Sequence, residues 1–136
     1  MQPNRIMLVL GVVIGCGTPS EPQLGDEFQL QVGESIVLDD LGTWVAFGGV
    51  SGDSRCASQA MCVWAGDAAV LVEVAPFPDA LGADSKIDTL HTNLDPKSLS
   101  LGPAELVLVQ LDPYPETPGS IRAEAYVATF TTRPAR

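Results

Sequence analysis

The sequence predicts an all-β fold: a single antiparallel β-sandwich of seven or eight strands over residues 26–133. Three observations predict it. Apolar and polar residues alternate over short runs, the period of a strand with one buried face. Proline and glycine clusters punctuate the chain between those runs. No stretch carries a helical apolar period beyond a turn or two near 79–86. A small closed barrel is the second architecture that fits.

The elements follow in chain order. Phe28, Leu30 and Val32 alternate with Glu27, Gln29 and Gln31, a first strand; Gly33-Glu34 turns the chain, and Ile36 and Leu38 carry a second. Val32-Gly33-Glu34-Ser35-Ile36-Val37-Leu38 resembles the early hairpin of many immunoglobulin-like sandwiches, although Asp39 and Asp40 stand where an immunoglobulin domain soon places a cysteine. The resemblance implies an immunoglobulin-like architecture without lineage. Asp39-Asp40-Leu41-Gly42 is a turn cluster, and 43–50 is a strand with Trp44 and Phe47. The run 68–74 sets Val70, Val72 and Val74 on one face, and 87–92 is a shorter strand. Leu106-Val107-Leu108-Val109-Gln110-Leu111 is apolar on both faces, which places it centrally in its sheet. The run 123–132, with Tyr126, Val127 and Phe130, closes the domain. Pro76/Pro78, Gly82, Asp95-Pro96, Gly102-Pro103 and Pro113/Pro115/Pro118 separate the later strands.

The first residues belong to a different class of signal. Arg5 precedes the apolar run Ile6-Met7-Leu8-Val9-Leu10-Gly11-Val12-Val13-Ile14, which ends at Gly15-Cys16. A charge, a short apolar run and a small residue make a removable export signal over 1–15. The run is too short to span a bilayer, which takes about 20 apolar residues. Val13-Ile14-Gly15-Cys16 resembles the lipobox of bacterial lipoproteins, and the motif implies a diacylglycerol on the Cys16 sulfur. Residues 16–25 then form the lipidated N-terminus and a tether rich in Pro, Gly and Ser. Two or more acyl chains anchor stably, at ~0.8 kcal/mol per buried methylene. The expected address is the cell envelope. Gly17, in place of a retaining aspartate, favours the outer over the inner membrane in a two-membrane organism.

Charge narrows the partners. The chain has 7 Lys and Arg against 17 Asp and Glu, a net charge of −10; loss of Arg5 with the signal makes it −11. Nucleic acid is excluded, because its binding needs cations to displace phosphate counterions. Anionic lipid surfaces are disfavoured too, which leaves the acyl chains as the grip on a membrane.

With Cys16 lipidated, Cys56 and Cys62 remain as a pair, and an oxidising exported compartment favours a disulfide between them. The seven-residue ring would add roughly 2 kcal/mol by chain entropy. A zinc site needs four ligands, and His91 is the only histidine; redox pairs usually have a two-residue spacer, and this one has five.

Asp53-Ser54-Arg55-Cys56 followed by Cys62-Val63-Trp64-Ala65-Gly66-Asp67-Ala68 resembles a segment of a group of small bacterial lipoproteins that reads D-S-R-C-P, a gap, then C-x-W-A-G-[ND]-[AV]. Leu111-Asp112-Pro113-Tyr114-Pro115 and Tyr126 also fit that group, whereas Ala57 replaces its common proline, implying a less rigid loop. The resemblance implies export, lipid and disulfide, and no activity. In this segment Cys62 and Trp64 share parity with Val70, which predicts Trp64 facing the core beside the disulfide. Gly66 predicts a close approach by another strand or a bulge. Arg55 can pair with Asp53 or Asp67 as a structural brace, or the three can form a recognition or catalytic cluster.

No catalytic residue, metal set or cofactor site stands out. A nucleophile elbow, a phosphate-cradling glycine loop, HExxH and a calcium loop are all absent from the sequence. His91 reads as a sheet-surface residue. Asp79/Asp84/Asp88 and Asp39/Asp40 invite weak calcium binding at most. Two classes of function fit. The first is a non-catalytic envelope module that binds a protein, peptide or glycan through end loops, an exported-peptidase inhibitor among them. The second is a small exported enzyme acting through carboxylates. For the binding class, Asp53, Arg55 and Tyr114 are the candidate contact residues, since stiff loops bearing Arg and Tyr suit recognition.

Overall fold

Eight strands realise the alternation. They are β1 (Glu27–Gln31), β2 (Ser35–Leu38), β3 (Thr43–Asp53), β4 (Ala68–Pro76), β5 (Lys86–His91), β6 (Ser98–Ser100), β7 (Ala104–Asp112) and β8 (Val127–Pro134). This is a computed structural model, and it describes residues 22–78 and 84–136. The expected signal, Cys16, residues 16–21 of the expected tether and residues 79–83 of the segment read as a helical turn or two lie outside the described residues.

The strands form two antiparallel sheets, ordered β1-β8-β7-β6 and β2-β3-β4-β5. This is the β-sandwich expected. Every hydrogen-bonded neighbour is consecutive in the chain except β1, which closes on β8. The connectivity among the described strands is therefore a pair of meanders, without the Greek-key exchange of an immunoglobulin domain. Likeness to that fold stops at two packed sheets.

Val45, Phe47, Val70, Val72 and Leu90 from one sheet meet Leu106 and Phe130 from the other, all fully buried. The Phe47 ring stands edge-on to Phe130 across the interface at 6.4 Å between centroids. Phe28 flanks Phe130 on its own sheet at 5.9 Å. Such burial contributes about 25 cal/mol per Å² of apolar surface.

Several strand limits differ from the sequence expectation. β3 runs on to Asp53, with register shifts between Phe47 and Gly49 and between Val50 and Gly52 that absorb the extra residues. The closing strand starts at Val127, because Ala123–Ala125 is a 3-10 turn. β7 lies between β8 and β6, as its apolar run predicts, but only one face is buried and Val109 is exposed. β6 has three residues, too few for a periodic signal.

Strand directions give the sandwich two distinct poles. Gln31 at the end of β1 lies opposite Val127 at the start of β8, and Asp53 at the end of β3 lies opposite Ala68 at the start of β4. The Tyr126 hydroxyl reaches Asp53 at 3.0 Å, so these ends share a pole with the 54–67 loop. The N-terminal approach is at the other pole. There Pro22 and Leu24 line a hollow with Asp40, Leu41 and Thr132.

Candidate functional site

The 54–67 loop begins as a continuation of the β3–β4 ladder. The Ser54 amide donates to the Asp67 carbonyl at 2.7 Å, and the Cys56 amide to the Ala65 carbonyl at 2.7 Å. Gly66 makes this approach possible. It adopts φ +70°, and a Cβ there would sit 1.8 Å from the Ser54 carbonyl oxygen. No other residue fits.

Cys56 and Cys62 are joined in a disulfide, S–S 2.05 Å. Their ring is tied to the opposite sheet as well. Ser58 and Gln59 amides donate to the carbonyls of Pro115 and Glu116, at 2.9 and 3.1 Å. The Tyr114 hydroxyl donates to the Cys56 carbonyl at 2.8 Å. The ring thus bridges the ends of both sheets.

Arg55 is the bolt beneath the ring. Its Nε and Nη2 grip the Asp53 carboxylate at 2.9 and 2.6 Å, Nη1 donates to the Leu111 carbonyl at 2.7 Å, and Nη2 also reaches the Pro113 carbonyl at 2.9 Å. The Tyr114 ring lies over the guanidinium at 5.2 Å. Burial alone would raise the Asp53 carboxyl, but hydrogen bonds from Arg55 and Tyr126, with the Arg55 charge, hold it below the usual range. Burial alone would lower the Arg55 guanidinium, and the Asp53 carboxylate outweighs it. Arg55 is only 7% exposed. The candidate contact residues Arg55 and Asp53 are thus paired with each other beneath the ring, and Nε, Nη1 and Nη2 of Arg55 each bond inside the domain. Tyr114 is 52% exposed and keeps one side open to solvent.

Asp67 organises a second junction, between the loop and the β5–β6 turn. Its carboxylate accepts from the Asn93 amide at 2.9 Å and the Leu94 amide at 3.2 Å, and lies 2.5 Å from His91 Nδ1. Burial raises the Asp67 carboxyl, and the Asn93, His91 and Leu94 contacts more than offset that, so it too is lowered. The Asn93 side chain donates back to the Gly66 carbonyl at 2.7 Å. Sequence reasoning left His91 on the sheet surface and missed this pairing, because the β4–β5 register that sets His91 opposite Ala69 is not a local property.

Above these two braces the 54–67 loop presents apolar side chains to solvent, Met61 within the ring and Val63 and Trp64 just after it. Met61 and Val63 are essentially fully exposed, Trp64 is 79% exposed and neighbouring Leu94 is 59% exposed. The expectation that Trp64 faces the core is overturned. Parity holds only along a strand, and residues 54–67 form a loop. Trp64 and Leu94 instead wall an open groove of about 420 Å³, floored by Ser54, Ala65, Gly66, Asp67 and Asn93. On the other flank, Tyr114, Glu116, Ile121 and Arg122 line a second hollow of about 410 Å³.

Several polar groups of the Trp64 groove are engaged inside the domain. Ser54 Oγ donates to the Asp67 carbonyl, the Asn93 amide to Gly66, and the Asp67 carboxylate has several donors. Among the described residues, no three His, Cys, Asp or Glu side chains cluster as a metal site. The surface left for a ligand is mostly apolar. Comparison of the chain with protein-family models, with curated proteins and with solved structures finds no match.

Proposed function

We propose that the protein is an exported lipoprotein, held in the cell envelope through a lipid on Cys16, whose sandwich is a non-catalytic binding module for another protein. In a two-membrane organism Gly17 favours the outer membrane as its address. The observation that supports binding is the stapled 54–67 loop, which presents Met61, Val63 and Trp64 to solvent beside a groove. Exposed apolar clusters of this kind mark interaction surfaces. A rigid loop also loses less entropy on docking than a mobile one.

Catalysis through carboxylates draws less support from the same residues. A general acid needs a raised pKa, whereas Asp53 and Asp67 are both lowered and occupied by internal donors. A glycan would need several free polar partners at the Trp64 platform, where Ser54 Oγ and the Asn93 amide nitrogen already bond within the domain.

The test is photo-crosslinking in living cells. A photoreactive phenylalanine analogue at Met61 or Val63 should give a discrete protein adduct. The same analogue at exposed Gln29 on β1 should give none. Adducts of equal pattern from both places would sink the assignment of the ring as the binding face.

A further inference from the structure

We infer that the partner's docking face is a cationic protein surface with an apolar anchor: one aliphatic or aromatic side chain for the Trp64–Leu94 groove, ringed by Lys or Arg. This rests on the proposed binding role of the ring and names the chemistry of what binds there.

The apolar half follows from the groove, whose lining is mostly apolar and includes Trp64, Ala65 and Leu94, while Ser54 Oγ and the Asn93 amide nitrogen bond within the domain. The charge half follows from how the domain disposes of its cations. Arg55 is bonded to Asp53, Lys86 to Asp88, Arg122 to Glu124 and Arg133 to Glu105. Those four pairs neutralise themselves, so the long-range field comes from the surplus carboxylates of a chain with net charge −10. Beside the groove, exposed Asp95 follows Leu94 and exposed Lys97 lies past Pro96; exposed Glu116, whose backbone carbonyl holds the Gln59 amide of the ring, adds its charge at the hollow on the other flank.

The same charge argues against a second copy of this chain as the occupant. Two such surfaces meeting ring to ring would bring like fields together, and like-charge juxtaposition penalises the wrong partner. A basic partner gains steering from the field and burial from the groove.

The experiment is selection of a phage-displayed random peptide library on the full-length protein, with Trp64→Ser and Leu94→Ser as comparison targets. Enriched peptides should combine an aromatic or aliphatic residue with Lys or Arg. Their affinity should fall at least about tenfold on Trp64→Ser, and should weaken as salt rises from about 0.05 to 0.5 M, where charge is screened. Trp64-dependent peptides that are neutral or acidic would overturn the cationic partner and leave the binding role standing. Peptides indifferent to both substitutions, or no enrichment over the bare support, would overturn both. Concentration-dependent dimerisation that Trp64→Ser abolishes would assign the groove to a second copy instead.

Discussion

Arg55 and Asp53 form the most deeply buried ion pair among the described residues. Their side chains are 3% and 11% exposed, so solvent screens them little. A buried pair contributes little against an apolar substitute, but breaking it leaves an uncompensated charge and costs about 3–5 kcal/mol. Asp53→Asn should therefore destabilise the domain by that amount at neutral pH, measured by urea unfolding. The pH dependence has a definite sign. Because the folded Asp53 carboxyl is lowered, its contribution is complete above the unfolded value of about 3.9 and disappears as pH falls through the folded value. Asp67 behaves alike. The wild-type melting temperature should drop steeply below about pH 4. That drop should be shallower, though present, in Asp53→Asn, and an unchanged acid limb would mean the pair has no differential stability.

At the scale of the element, the 54–67 loop is held by covalent, backbone and side-chain ties at once. The disulfide closes a ring of seven residues, so Cys56→Ser with Cys62→Ser should cost roughly 2 kcal/mol in chain entropy. Because Ser58, Gln59 and Tyr114 tie the ring independently, thermal melting of that double variant should remain cooperative. Gly66→Ala is the harsher change. The added Cβ collides with the Ser54 backbone, which must move, and the loss should be roughly 3 kcal/mol or more. Trp64→Ser, by contrast, should leave stability within about 0.5 kcal/mol, as surface substitutions do.

The same loop shows where the sequence is legible and where it is not. Cys56–Cys62 and the tight approach at Gly66 could be read because each is a local demand on spacing or backbone. The strands could be read because alternation is their direct mark, as at β1 and β4. Trp64 could not, since parity was extended through a segment that is no strand. Nor could the depth of Arg55, whose burial depends on carbonyls of Leu111 and Pro113. Those partners lie 56 and 58 residues away and are supplied only when the sheets pack.

Across the whole molecule, polarity is the property with most consequence. The described chain enters beside Asp40 and Leu41, whereas the ring, Asn93–Leu94 and Tyr114 gather at the far ends of the strands. β3 alone spans 11 residues, or roughly 36 Å at strand rise. Even at full extension, the six residues from Cys16 to Glu21 reach no more than about 22 Å. If Cys16 bears the lipid, the apolar ring is directed away from the membrane that holds the domain, toward a partner in the aqueous space or opposite it. That separates docking on a protein from insertion of Trp64 into the protein's own bilayer, the other fate open to an exposed Met-Val-Trp cluster. The lipidated protein in liposomes of brominated phosphatidylcholine distinguishes them. In a Trp44→Phe background, which leaves Trp64 as the only tryptophan, emission should be unquenched relative to unbrominated vesicles, while Cys16→Ala should leave the protein off the vesicles altogether. Strong quenching of Trp64 would place the ring in lipid and overturn the outward polarity. Vesicle binding that survives Cys16→Ala would show that the protein surface, not the acyl chains, is the grip.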